Sequence, residues 1–229
     1  MKVLGVIPAR GGSKGVQRKN IRLLHGLPLI CYSIREAASS SLTRTIVTTD
    51  SKEIARFAED CGGDIPFLRP STLAEDDTPT LPVILHALDQ MEESFEAVMV
   101  LQPTSPLRTA ADIDTAITLL ETDQSADSVI NVVKISNHHP ARMKILRQGV
   151  LYDPPFAEEI EGQRRQDLPE YYLRNGAIYL TRIHVLRQNS SFNGAKCLGH
   201  QMSEERSVNI DSELDFILSE AIIRKQQGE

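Results

Sequence analysis

Cysteine is scarce in this chain. Only Cys31, Cys61 and Cys197 occur, far apart and odd in number, with no CxxC pair and no Cys/His spacing suited to zinc. Neither a disulfide framework nor a zinc site is expected, and buried structural thiols are the default reading. A basic excess is missing too. The formal net charge is −6, opposite in sign to the field that a general nucleic-acid binder carries. Any recognition of phosphate must therefore be local. Long apolar runs are also lacking: the stretch from Met1 to Ile7 meets Pro8 and Arg10 too soon for a signal peptide or a membrane span. The chain is expected in the cytoplasm, with no nucleic-acid and no membrane partner. No internal repeat and no low-complexity segment is present.

What is there reads as globular. With 41% hydrophobic and 24% charged residues, the 229 residues suit one large α/β domain spanning 1–229 that needs no disulfide or metal staple. Short β-branched runs at 3–7, 45–49, 97–101, 128–133 and 177–180 alternate with amphipathic stretches of helical length at 27–39, 51–61, 82–91, 110–120 and 212–225. Asp50 or Ser51 offers an N-cap and Gly62-Gly63 a stop for the second helix. Strands apolar on both faces indicate a mostly parallel sheet covered by helices, with ligands at the carboxyl ends of the strands. Residues 136–171, rich in Pro, Glu, Arg and Gln, break the alternation and read as an inserted arm.

The first strand runs into Pro8-Ala9-Arg10-Gly11-Gly12-Ser13-Lys14-Gly15, followed by Arg18-Lys19-Asn20. Glycines there let the backbone approach a phosphate chain and turn N–H groups toward it, while Arg10, Lys14 and Lys19 supply charge. The Walker pattern GxxxxGK[ST] and the dinucleotide pattern GxGxxG are both absent. A surface turn with solvated cations is the bland alternative. Directly after a buried strand, the density of cations favours phosphate.

That loop closely resembles the signature of the acylneuraminate cytidylyltransferases, the CMP-nonulosonic acid synthetases. Val47-Thr-Thr-Asp50, Leu68-Arg69-Pro70, Leu101-Gln-Pro-Thr-Ser-Pro-Leu-Arg108, Asn175-Gly-Ala-Ile-Tyr179 and Ser207-Val-Asn-Ile-Asp211 resemble further family blocks in the family's order, covering nearly the whole chain. The resemblance implies a three-layer, Rossmann-like nucleotidyltransferase fold with an inserted dimerisation arm at 136–171, hence a homodimer. It implies transfer of CMP from CTP to a nine-carbon 2-keto acid sugar, with Mg²⁺ as cofactor and pyrophosphate as by-product. It assigns Arg10, Gly11, Ser13, Lys14, Lys19, Asn20 and Thr80 to the nucleotide, and Gln102, Ser105, Arg165, Arg174 and Asn175 to the sugar. Arg10, Lys19 and Asp211 then carry the chemistry, and Asp211 with Asn209 the metal.

Each assignment has a structural alternative. Arg108 can pack in a rigid Pro-bracketed turn, Asn175-Gly176 can be a plain turn into a strand, Arg164 and Arg165 can pair with Glu158, Glu159 and Glu161, and Asp211 can cap the last helix. Arg69 reads as a nucleotide or packing contact, and His138 and His139 as residues of the arm or the substrate shell. Three departures from the family pattern stand out. Asn209 occupies a usual aspartate position, Leu173-Arg174 shifts an arginine by one place, and Arg142 replaces a lysine. The last two lie on the sugar side, so legionaminate and pseudaminate are as plausible as N-acetylneuraminate. An eight-carbon Kdo cytidylyltransferase and a non-catalytic nucleotide-binding domain are the rival readings.

Overall fold

The computed structural model describes residues 1–12 and 15–228. Strand β1 (Val3–Pro8) leads into the glycine-rich loop, and the short strands β2 (Leu23–Leu24) and β3 (Leu27–Pro28) precede helix α1 (Leu29–Ala38). Strand β4 (Arg44–Thr48), helices α2 (Lys52–Asp60) and α3 (Thr80–Asp89), strand β5 (Ala97–Val100) and helix α4 (Ala110–Thr122) continue the alternation. There follow β6 (Ser128–Lys134), the hairpin of β7 (Ile145–Arg147) and β8 (Val150–Tyr152), and the long β9 (Tyr172–Arg182). Helix α5 (Ile183–Asn189), β10 (Cys197–Met202) and α6 (Glu213–Gln227) complete the fold.

Six strands form one sheet in the order β10-β6-β9-β5-β1-β4. β1 runs parallel to β4 and β5, and β10 parallel to β6, while β9 is antiparallel to both its neighbours. The period-two alternation of β1 divides the core. Val3 and Ile7 join Ile30 and Ile34 of α1, Ile54 of α2 and Ile113 and Ile117 of α4 on one face. Leu4 and Val6 join Ile84 and Leu88 of α3 and Leu186 of α5 on the other. Helices thus cover both faces, giving the three layers expected. Each fully buried aliphatic such as Leu4 or Ile7 contributes about 1.5–3 kcal/mol.

The helices begin where local chemistry starts them. Ser51 accepts from the Ile54 N–H at 3.3 Å, which settles the N-cap of α2, and a left-handed Gly62 (φ 85°) follows its end. Thr109 with Asp112 and Ser212 with Asp215 form complete capping boxes on α4 and α6. A smaller cluster of Val16, Leu24, Leu29, Ile210 and Phe216 clamps α6 onto the loop after β1.

The cysteine expectation is corrected. Cys31 of α1 and Cys61, just beyond α2, are joined in a disulfide with Cα atoms 5.6 Å apart, while Cys197 is free and exposed. The two helices pack side by side on one sheet face, which brings thiols remote in sequence within bonding reach. The 136–171 segment lies between β6 and β9 and carries the exposed hairpin β7–β8. His139 is buried there, accepting from the Ala141 N–H and meeting the Pro169 carbonyl at 2.9 Å, so it fastens the arm's base. Among the described residues, no helix is long and apolar enough to cross a membrane.

Candidate active site

Three segments leave the strand ends and enclose a cleft of about 560 Å³. The loop after β1 contributes Arg10, Gly12, Gly15, Lys19 and Asn20; the loop after β5 contributes Gln102, Pro103 and Thr104; the segment before α6 contributes Asn209 and Asp211. Arg69 and Thr80 complete the wall on the α3 side. The cleft opens where a parallel sheet places its ligands.

Backbone contacts fix the first loop. The Asn20 amide donates to the Arg10 carbonyl at 3.0 Å, and the Gly11 N–H donates to Asp50 Oδ1 at 3.0 Å. Val16 is fully buried and anchors the loop in the α6 cluster. Gly15 has no room for a side chain: a Cβ there would sit 2.4 Å from the Asp211 carbonyl oxygen. The loop and the Asp211 segment are therefore in backbone contact. Ser13 and Lys14 lie outside the described residues.

Lys19 and Asp211 come together. The Lys19 ammonium donates to the Ile210 carbonyl at 2.8 Å and lies 3.1 Å from Asp211 Oδ1. Asn209 Nδ2 donates to Asp211 Oδ2 at 2.6 Å, so both carboxylate oxygens are engaged. The Asp211 side chain is nonetheless 70% exposed at the cleft mouth. Its N–H donates at 3.0 Å to Asp215, whose carboxyl is pushed up by burial but held below its ordinary value by Ser212, two backbone N–H groups and Lys19. The capping box of α6 thus holds the Asp211 backbone in place. Across the cleft, Arg10 donates to Asp76 Oδ1 at 2.8 Å and to the Glu75 carbonyl at 3.0 Å.

Arg69, which the sequence left between nucleotide and packing roles, is only 5% exposed and lies 3.7 Å from Asp50 Oδ1. Its Nε and Nη2 are buried without a hydrogen-bond partner. Burial pushes its pKa down, and Asp50 only partly opposes that. An unsatisfied guanidinium bordering a cleft is costly unless a ligand completes it.

On the opposite side, Gly176 adopts φ 79° within a bulge where β9 loses register with β6 between Ile130 and Val132. A Cβ at Gly176 would lie 2.9 Å from Gln102 Oε1, 3.6 Å from Asn209 Oδ1 and 3.7 Å from Ser105 Oγ. Ser105 Oγ and Asn209 Oδ1 are both buried and unpartnered. Arg108 is a strut beneath the Gln102 loop: it donates to the Ala177 carbonyl (2.7 Å), Ser33 Oγ (2.7 Å) and the Gln102 carbonyl (3.3 Å). Complete burial pushes its pKa down to about 10.

Of the five residues assigned to the sugar, only Gln102 lines the cleft; Ser105 is buried behind it and the other three stand elsewhere. Asn175 is buried behind Gly176, its amide donating to Ser207 Oγ at 3.0 Å and its Oδ1 accepting from the Ala177 N–H at 3.1 Å. Arg174 is exposed on β9, outside the cleft wall. Arg165 borders a separate hollow with Lys134, Ser136 and Glu204 at the base of the arm. Arg164 pairs with Asp167 at 2.8 Å rather than with the acidic run at 158–161.

A largely parallel sheet with a glycine-rich loop, a Gln-Pro loop and Asp211 ahead of the last helix around one cleft defines a nucleotidyltransferase architecture. The fold resembles that of CMP:2-keto-3-deoxy-manno-octonic acid synthetase complexed with CTP, with a TM-score of 0.75, 17% identity, and coverage of 99% of this chain and 100% of that one. A family model described as Cytidylyltransferase matches residues 4–196, and the chain belongs to that family. It is 36% identical to the CMP-N,N'-diacetyllegionaminic acid synthase of Legionella pneumophila over 99% of this chain and 98% of that protein. It is equally 36% identical to post-translational flagellin modification protein B of Campylobacter coli, over 98% of this chain and 96% of the other. The N-acylneuraminate cytidylyltransferase of Escherichia coli is 34% identical over 98% of this chain, which spans 53% of that longer protein.

Proposed function

We propose that this cytidylyltransferase joins CTP to a nine-carbon 2-keto acid sugar, releasing pyrophosphate. The observation that carries the reading is the cleft itself. A cation-bearing glycine loop, the buried Arg69, the Gln102-Pro103-Thr104 loop, Lys19 and Asp211 all line this one cleft. Near relatives named for legionaminate and acylneuraminate transfer support the same acceptor class.

In this reading Arg10, Lys19, Asn20, Gly11 and Thr80, with Ser13 and Lys14, receive the nucleotide, and Arg69 completes its guanidinium bonds on a nucleotide oxygen. The anomeric hydroxyl oxygen of the acid sugar bonds to the α-phosphorus, and the bond from that phosphorus to the bridging oxygen breaks. The hydroxyl proton passes to water. Lys19 and Arg10 counter the charge that grows on the phosphate and on departing pyrophosphate. Gln102 and Ser105 orient the acceptor.

Mg²⁺ is the implied cofactor. Among the described residues no group of three or more acidic, His or Cys side chains could hold a metal. A single exposed carboxylate at a phosphate site still fits an ion that takes one or two protein oxygens and fills its shell with water and phosphate. Asp211, with Asn209 beside it, would hold it, and the bound ion would supply charge neutralisation at the phosphates.

Arg165 and the arm are read as reaching a second copy. The exposed Leu146, Leu151 and Ile160 of the arm and Leu214 and Ile217 of α6 are apolar surface of the kind a homodimer covers. CTP as substrate is the ground on which the reaction is read as cytoplasmic.

Pyrophosphate release from CTP and Mg²⁺ tests the reading, with N-acetylneuraminate, legionaminate, pseudaminate and Kdo offered in parallel. Turnover with a nine-carbon acid is expected. Turnover with Kdo alone would select the eight-carbon branch, and CTP binding without release from any acid would select a non-catalytic domain.

A further inference from the structure

Arg10 is held at both ends. In the backbone, the Ala9 N–H donates to the Thr48 carbonyl at 3.0 Å, and the Arg10 carbonyl accepts from Asn20 at 3.0 Å. At its tip, Nη1 donates to Asp76 Oδ1 at 2.8 Å and to the Glu75 carbonyl at 3.0 Å. Arg10, Glu75 and Asp76 all line the cleft, and the Arg10 side chain keeps 32% of its surface exposed. A guanidinium carries five N–H donors on three nitrogens. Among the described residues only Nη1 is engaged, which leaves the donors of Nε and Nη2 for a ligand.

The facing wall is built of turns. It starts where the Arg69 N–H donates to the Thr49 carbonyl at 2.8 Å and ends where α3 begins at Thr80. Between these points lie one 3-10 turn at Ser71–Leu73 and a turn closed by the Thr78 N–H on the Glu75 carbonyl at 3.2 Å. The Glu75 carbonyl thus accepts twice, from its own turn and from Arg10. An arginine free to swing gives up rotamer freedom when it binds an anion, and fixing its tip beforehand lowers that cost. Asp76 and Glu75 take one nitrogen only, so neither has to leave when a phosphate arrives. Asp76 is half exposed, so water and salt screen its repulsion of a phosphate.

We propose that Asp76 is a positioning residue for the nucleotide: with the Glu75 carbonyl it pins Arg10, whose remaining nitrogens then meet the phosphate oxygens of CTP. This rests on the cytidylyltransferase reading above and deepens it. It gives the 71–78 segment a part in CTP binding that reaches the phosphates through Arg10.

The test uses the full chain, with CTP affinity from isothermal titration beside KM for the acid sugar. Asp76→Ala should weaken CTP about fivefold, the scale of one partly exposed ion pair, and leave KM for the acid sugar within about twofold of wild type. Asp76→Asn keeps an oxygen that accepts from Nη1 and should return CTP affinity to within about twofold of wild type. Arg10→Ala should lose at least about tenfold, and adding Asp76→Ala to it should cost no further loss beyond about twofold, because the two residues act as one.

Tighter CTP binding by Asp76→Ala overturns the proposal, since the carboxylate would then compete with phosphate for Arg10. Unchanged CTP affinity in that variant overturns it as well, and so do losses that simply add in the double variant. Should Asp76→Ala lack a cooperative thermal transition, Asp76→Leu, of similar size and without an acceptor, carries the same expectations in its place. A wild-type chain that does not bind CTP removes the parent reading and this inference with it. Binding by wild type with an indifferent Asp76→Ala removes this inference only.

Discussion

At the scale of single residues, the account turns on close approaches that leave no slack. Gly15 meets the Asp211 carbonyl so closely that Gly15→Ala must force the loop and the segment apart. A displacement of that kind at a catalytic centre costs on the order of 10²-fold in kcat/KM, with folding largely retained. Steady-state kinetics beside a thermal melt would check it. Arg69→Ala removes a cleft-lining guanidinium with two unpartnered nitrogens, which in the proposed reading meets a nucleotide oxygen, so CTP affinity should fall at least about tenfold while affinity for the acid sugar holds. Isothermal titration with each substrate separates the two. Asp211→Ala should abolish pyrophosphate release, and near-wild-type turnover would remove Asp211 from the chemistry. Much of this residue set was legible in the sequence because the chemistry is written locally: a loop of glycines and cations reads as a phosphate cradle in any context. The burial of Arg69 and the inward turn of Asn175 were not legible. Both depend on packing against segments far away in the chain, and Asn175-Gly176 reads equally well as a turn into a strand.

At the scale of elements, the Asp112 node joins three of them. The Asp112 carboxylate, 3% exposed, caps α4 through Thr109 and accepts from His200 of β10 at 3.2 Å and from Arg206 ahead of the Asn209–Asp211 segment. Burial pushes its pKa up, but hydrogen bonds from Thr109, Arg206 and His200 outweigh it and hold it below the ordinary carboxylate value. A depressed folded-state pKa contributes stability that is present above the unfolded value near 3.8 and is lost as pH falls through the folded value. Asp112→Asn should therefore destabilise the protein by about 1–3 kcal/mol at pH 7, and the difference from wild type should shrink in strongly acidic solution. Urea titrations at both pH values would show it. The disulfide between Cys31 and the end of α2 closes a separation of 30 residues, worth roughly 3–4 kcal/mol by chain entropy. Thermal melting with and without reductant should differ by several degrees, and a Cys61→Ser variant should be indifferent to reductant. The sequence showed these helices clearly through their periodicity and caps. It could not show which helix lies beside which, and so the cysteine pair went unseen. The direction of β9 was hidden for a related reason, since an apolar run reads alike in either orientation.

At the scale of the whole molecule, the alternation of apolar strands and amphipathic helices was enough to foresee a three-layer domain with its cleft at the strand ends. The segment at 136–171 was marked by composition alone, and composition does not say what a protruding hairpin covers. Its exposed leucines give the expectation at this scale. Light scattering should report a dimer for the wild type and a monomer mass for Leu146→Asp combined with Leu151→Asp. A wild-type monomer that is fully active would remove the role proposed for Arg165 across the interface. The central claim, that one cleft unites CTP with an acid sugar, is tested most directly by identifying the product. The chain is incubated with CTP, Mg²⁺ and legionaminate, and the mixture is resolved by mass spectrometry with pyrophosphate quantified alongside. The account predicts a CMP-sugar and pyrophosphate appearing in equal amounts, and neither in the absence of the sugar. Nucleotide breakdown that proceeds without the sugar, or that yields no CMP conjugate with any of the four acids, would contradict it.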